Sequence, residues 1–225
     1  MVSQHTAVPE GPGTSRWSIL DAATNVFMEV GFSGARVDEI ARRARANKAM
    51  IYYHFGSKQS LYKAVLLRLF GNVLAEVARL KESDLPPEGR LRALYTRIAR
   101  HFGEQRALPH IMLREILAGG RSMDAEASHA LGAIVGFVKE TVAEGTRSGA
   151  FRSVHPLLLH ITMLGPLMLH FAGASFRERL MPRELPGLTP PSNEDVLAHL
   201  LAVLDRSLAP PKPRPSVQSR QRKTT

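Results

Sequence analysis

A chain of 225 residues that is 44% hydrophobic can bury a sizeable core, as one large or two small domains, and is excluded from the wholly disordered class. The absence of cysteine rules out disulfides, a thiolate nucleophile and thiolate-held zinc or iron–sulfur clusters, and it is consistent with a reducing cytoplasm. The formal net charge of +10 is unevenly placed: residues 16–63 carry eight basic and four acidic side chains, residues 212–225 carry five basic and no acidic ones, and the long middle is almost balanced, the pattern of a nucleic-acid-binding head on a neutral body.

Residues 1–15 are rich in Pro, Gly, Ser and Thr without periodicity and are expected to form a flexible arm; they lack the basic segment and apolar run of a secretory signal. A first helix is expected from Arg16 to Val30, with Ile19, Ala22, Ala23, Val26 and Phe27 inward and Gly31 ending it. From Arg36 to Lys58 two short helices follow, the first with Val37, Ile40, Ala41 and Ala44 at helical spacing, the second with Ile51 and Phe55 inward. They are separated by Arg45-Ala46-Asn47, and Ala41 supplies the small residue needed where they cross. The second turns Lys48, Ala49, Tyr52 and Tyr53 outward, a basic and aromatic face suited to a helix entering the major groove by its N-terminal end.

These pieces, in order, resemble the DNA-binding domain of the tetracycline-repressor (TetR) family of bacterial regulators. Ile19-Leu20, Ala22-Ala23, Phe27 and Gly31-Phe32 are similar to its first helix and exit. Asp38-Glu39-Ile40-Ala41 is similar to the second helix, Met50-Ile51-Tyr52-Tyr53-His54-Phe55 to the recognition helix, and Ser57-Lys58 with Leu61 to the start of the fourth. Two positions depart from the family pattern. Ala35-Arg36 stand where a hydroxyl usually caps the second helix, a loss of about 1 kcal/mol that Ser33, water or a phosphate is expected to offset. Arg45 stands where glycine usually makes the turn, at a cost of about 1–2 kcal/mol if the residue is left-handed.

A fourth helix is expected from the Ser57 cap to about Ser83, with Leu61, Val65, Leu69, Val73 and Val77 along one face. Five more follow: Glu88–Glu104, Leu108–Ala118 stopped by Gly119-Gly120, Asp124–Ser148, Pro156–Leu180 kinked at Pro166, and Asn193–Leu208 capped by Ser192 with Asp195. Leu157–Ala174 is nearly as apolar as a short membrane span, but His160, His170 and Gly165-Pro166 argue for a buried helix instead. Nothing alternates with period two, so the expected fold class is all-α: a three-helix helix-turn-helix domain over 16–63 and a larger ligand-binding and dimerisation domain over 64–209. Residues 210–225 read as a disordered basic tail.

The resemblance places Lys48, Ala49 and Tyr53 at base edges and Arg36, Tyr52, His54 and Lys58 at phosphates, with helix packing the competing role for Tyr52 and His54. Phe102, His110, Met112, Phe137, Met163, Met168, His170 and Phe171 are the candidate ligand contacts, set against an ordinary core role for each. No two histidines lie three or four residues apart and no catalytic signature is present, so no metal, cofactor or catalytic residue is expected. The resulting reading is a cytoplasmic homodimeric transcriptional regulator, a repressor released from a palindromic operator on double-stranded DNA by a small apolar or amphipathic effector. Its rivals are a helical ligand-sequestering protein or enzyme with a vestigial head, and a nonspecific DNA-coating protein.

Overall fold

The computed structural model describes residues 15–185 and 187–210, which form ten helices and no strand. They are α1 (Arg16–Gly34), α2 (Val37–Ala44), α3 (Lys48–Phe55), α4 (Lys58–Lys81), α5 (Pro87–Glu104), α6 (Ala107–Leu117), α7 (Ala125–Arg147), α8 (Pro156–Ala172), α9 (Ala174–Glu184) and α10 (Asn193–Leu208). The arm expected over 1–15 lies outside the described residues except for Ser15, and the basic tail lies outside them beyond Pro210.

Local chemistry explains most boundaries. Ser15 and Ser18 form a reciprocal capping box at the start of α1, and Ser192 with Asp195 does the same for α10. Asp124 accepts from the Ala127 amide at the start of α7, and Pro156 occupies the first turn of α8, where its missing N–H costs nothing. Gly31 takes φ 70° and breaks the first helix where expected, although the chain resumes a helical turn through Gly34.

One expectation is corrected. The segment from Pro156 to Leu180 is not a single helix kinked at Pro166; α8 continues through Pro166 and the chain turns by 62° at Gly173 into α9. Pro166 and Thr162, whose carbonyl loses its partner, both sit on the exposed side, where solvent can satisfy the freed group. At Gly173 a Cβ would lie 2.6 Å from the Leu169 carbonyl oxygen, so the turn requires glycine. Among the described residues no single helix is long and apolar enough to cross a membrane; the bent α8–α9 pair passes only by length and composition.

A continuous apolar core runs from Ile19 to Leu208. Its spine is α4, whose Leu61, Val65 and Leu66 are fully buried and which packs on α1 at one end and on α5 and α7 at the other. The 24-residue α4 thus runs from the first three helices into the rest of the fold, and α6 packs on α1 beside it. Arg92 of α5 pairs with Asp205 of α10 at 2.6 Å, and Arg152 donates to the Ser207 and Leu208 carbonyls, fastening the last helix to the rest.

Candidate nucleic-acid interface and ligand cavity

Val37, Ile40, Ala41 and Ala44 of α2 are buried against α1 and α3, as the helical spacing predicts. The turn after α2 is a Schellman motif: the Ala46 amide donates to the Ala41 carbonyl at 2.9 Å, the Arg45 amide donates to Arg42, and Arg45 takes φ 53° and ψ 35°. Arginine thus occupies the left-handed position usually left to glycine. Asn47 then caps α3 by accepting from the Met50 amide at 2.8 Å, and Gly56 at φ 74° ends it. At the start of α2, Arg36 is the N-cap and no side chain caps the helix; Ser33 does not substitute.

Met50, Ile51 and Phe55 anchor α3, while Lys48, Ala49, Tyr52 and Tyr53 are exposed. Met50 was not foreseen as an anchor; its i, i+1, i+5 relation to Ile51 and Phe55 on a short helix shows it. The Lys48 ammonium lies 3.0 Å from the Asp38 carboxylate, whose hydrogen bond raises the lysine pKa and ties α3 back to α2. Arg43 bridges Glu29 and Glu39, and Arg42 also pairs with Glu39, so hydrogen bonds from the two guanidinium groups hold the Glu39 carboxyl down at about 2. Arg36 is exposed and makes no ion pair within 4 Å among the described residues. His54 is half-buried, with Nε2 sealed and unpartnered among the described residues and its ring edge-on to Tyr53. Lys58 is half-buried with its ammonium 4.5 Å from the Phe32 ring centroid, and burial lowers its pKa. Lys48, Ala49, Tyr52, Tyr53 and Arg36 are therefore open to a duplex, whereas His54 and Lys58 are engaged with their own protein.

The body holds an apolar cavity of about 270 Å³ between α4, α5, α6, α7 and α8. Three of the candidate ligand contacts, Phe102, Met112 and Met168, line it, joined by Phe70, Val73, Ile98, Leu108, Ile134 and Leu164 among others. Phe137 and Met163 are fully buried core and do not reach it. His110, His170 and Phe171 instead border a separate polar hollow of about 450 Å³ beside the starts of α9 and α10, where His170 Nε2 meets Asn193 Oδ1 at 2.9 Å. The cavity's one polar side chain is His160, whose Nδ1 lies 3.3 Å from the Tyr95 hydroxyl. Its spacing with Leu157, Ile161, Leu164 and Met168 marked that face of α8, but the pairing with Tyr95 is a tertiary fact.

Helix α6 has two faces. Leu108, Met112 and Ile116 line the cavity. Arg114 donates to the Met28 and Glu29 carbonyls at the end of α1, and the buried Glu115 accepts from the Tyr62 hydroxyl of α4 at 2.7 Å. The following turn and the start of α7 grip α4 as well, Gln59 donating to the Ser122 carbonyl at 2.6 Å and Lys63 pairing with Glu126 of α7 at 2.9 Å. Among the described residues no cluster of metal-ligating side chains is present.

Residues 19–65 match the family model described as "Bacterial regulatory proteins, tetR family". The transcriptional repressor NicS of Pseudomonas putida is 33% identical over 142 residues, covering 61% of this chain and 66% of NicS. The transcriptional regulator RutR of Escherichia coli is 30% identical over 158 residues, covering 69% of this chain and 72% of RutR. Among solved structures, the TetR-family regulator PfmR from Thermus thermophilus superposes with a TM-score of 0.64 at 22% identity over 89% of this chain and 99% of PfmR. FadR from Bacillus subtilis, solved with stearoyl-CoA, gives 0.63 at 17% identity over 86% of this chain and all of FadR. These structural likenesses show a shared fold.

Proposed function

The chain belongs to the TetR family of DNA-binding transcriptional regulators, and from that premise we propose that it is a homodimeric repressor whose α3 reads a palindromic operator and whose body binds a small-molecule effector that releases the DNA. In this reading 16–63 is the head and 64–209 the body, and the protein works in the cytoplasm beside its DNA. The observation that carries it is the exposure of Lys48, Ala49, Tyr52 and Tyr53 on a helix whose opposite face is locked by Met50, Ile51 and Phe55. Lysine can donate to guanine, the alanine methyl can meet thymine, and the tyrosine hydroxyls reach phosphates. Arg36 adds a phosphate contact beside α2. For Lys48 the price of binding DNA is release from Asp38.

Dimerisation through α8 and α10 is supported by the exposed Leu158 and Leu169 on α8. Two recognition helices then face successive major grooves about 34–36 Å apart, or a multiple of that distance. The effector occupies the α4–α8 cavity, and α6 carries its effect to the head through Arg114 and Glu115. The test is selection of bound duplexes from a random pool at near-physiological salt, followed by sizing of the complex. A recovered palindrome bound by one or two dimers supports the regulator. Binding without a motif and with a steep salt dependence would replace it with a nonspecific DNA-coating protein.

A further inference from the structure

The wall of the body cavity restricts what can enter it. His160 is its one polar side chain, and no carboxylate, ammonium or guanidinium group lines it. Ile116, Leu157 and Ile161 form an apolar, solvent-exposed rim, so an ionic group at the mouth also finds no counter-charge among the lining residues. Met112 and Met168 supply flexible side chains that adapt to the shape of an apolar body.

We infer that this cavity, taken as the effector site of the proposed function, selects uncharged molecules that have an apolar body of about nine carbon-sized units and one hydrogen-bonding atom, with His160 as the residue that recognises that atom. The size follows from about 270 Å³ of space at ~30 Å³ per water-sized unit. The recognition follows from the hydrogen-bond inventory. The Tyr95 hydroxyl engages Nδ1 of His160, and the imidazole makes no other hydrogen bond among the described residues, which leaves Nε2 for a ligand. The charge preference follows from desolvation. Burial lowers the His160 pKa and pushes the Tyr95 hydroxyl well above the usual phenol range, so both groups are neutral at physiological pH. A carboxylate or ammonium group entering the cavity would lose its hydration and gain one neutral hydrogen bond in return, whereas a hydroxyl or carbonyl loses far less.

The test is titration calorimetry and thermal unfolding of the full-length protein at pH 8 with three nine-carbon probes: nonan-1-ol, sodium nonanoate and nonylamine hydrochloride. The expected result is saturable binding of nonan-1-ol, at least tenfold tighter than either ion. In His160→Leu the alcohol should bind at least tenfold more weakly, while His160→Gln, which keeps a donor and an acceptor, should recover part of the loss. Tyr95→Phe leaves the imidazole without its partner and should weaken binding without abolishing it, which provides a reading if the His160 variants fail to fold. Nonanoate binding as tightly as the alcohol, no binding of the alcohol, or wild-type affinity in folded His160→Leu would each overturn the inference. An ion preference in a protein that still selects a palindrome would overturn this ligand class alone. Failure to select a palindrome while the alcohol preference holds would remove the regulator and keep the cavity chemistry.

Discussion

Removal of one hydroxyl from Tyr62 tests how the head is fastened to the body. The Tyr62 side chain is 1% exposed, with its ring 4.7 Å from Phe27 and 5.0 Å from Phe32, and its hydroxyl is the hydrogen-bond partner of the Glu115 carboxyl, which is 3% exposed. Oε2 of that carboxyl already has no partner among the described residues. Tyr62→Phe keeps every ring contact and leaves the whole carboxyl unpaired. Orphaning a buried polar group costs ~1–3 kcal/mol, and ~2 kcal/mol is the central expectation here. For a chain of this size that lowers the melting temperature by ~4–8 °C.

Replacing both partners in Tyr62→Phe/Glu115→Met removes the donor and the stranded acceptor together, which is close to neutral in general. The double variant should therefore regain most of the loss, a coupling of ~1.5 kcal/mol or more between residues 53 positions apart. Urea unfolding of the four proteins measures this directly, with an unchanged denaturant slope as the control for a preserved native state. A Tyr62→Phe cost below ~0.5 kcal/mol, or strictly additive single effects, would refute the reasoning, because the carboxyl would then be solvated by something other than this phenol.

Lys48→Ala should weaken specific operator binding by roughly 5- to 150-fold while changing stability by less than ~0.5 kcal/mol, measured by DNA titration and melting. Asp38→Asn should do the opposite to affinity, since it frees the Lys48 ammonium from its 3.0 Å partner. Arg36→Ser should stabilise α2 by about 1 kcal/mol through the missing cap yet reduce DNA affinity through a lost phosphate contact, so melting temperature and operator affinity should move in opposite directions. His160 has a folded-state pKa held below the ordinary 6.5 by burial, so its contribution is complete above pH 6.5 and is lost as pH falls from there through the folded value; the wild-type stability advantage over His160→Leu should shrink on acidification over that window.

The head was legible because its signals are local. Val37, Ile40, Ala41 and Ala44 repeat at helical spacing, and the chemistry of Ser57 and Gly31 acts within a few residues of each boundary. For Arg45 the resemblance gave only a condition, a cost if the residue is left-handed, and the structure meets that condition at φ 53°. The split between α8 and α9 was harder to see, because Pro166 is the stronger breaker by type and Gly173 the stronger by position. Proline is tolerated on an exposed helix face, whereas the approach of the Leu169 carbonyl to Gly173 exists only once the turn has formed. The cavity was legible in kind but not in membership. Met and Phe content pointed to an adaptable apolar wall, yet Phe102 of α5 faces the space while Phe137 of α7 is core, and His160 rather than His110 or His170 stands in the wall, which only the packing of five helices decides.

The same packing bears on the energetics of release. A ligand shifts an equilibrium only by its differential affinity for the two states, and moving a repressor from 99:1 bound to 1:99 needs about 10⁴-fold preference, roughly 5.5 kcal/mol. An apolar ligand filling 270 Å³ cannot gain that preference from the cavity alone if the cavity has the same shape in both states. A shift of α6 would supply it, since Leu108, Met112 and Ile116 face the cavity while Arg114 and Glu115 on the same three turns hold α1 and α4. The Tyr62–Glu115 bond works against that displacement because it is buried and half-satisfied, and weakening it should make release easier. Tyr62→Phe is thus expected to lower the effector concentration needed to free the operator as well as the melting temperature. An unchanged release midpoint in a variant whose stability has fallen would place the coupling outside α6.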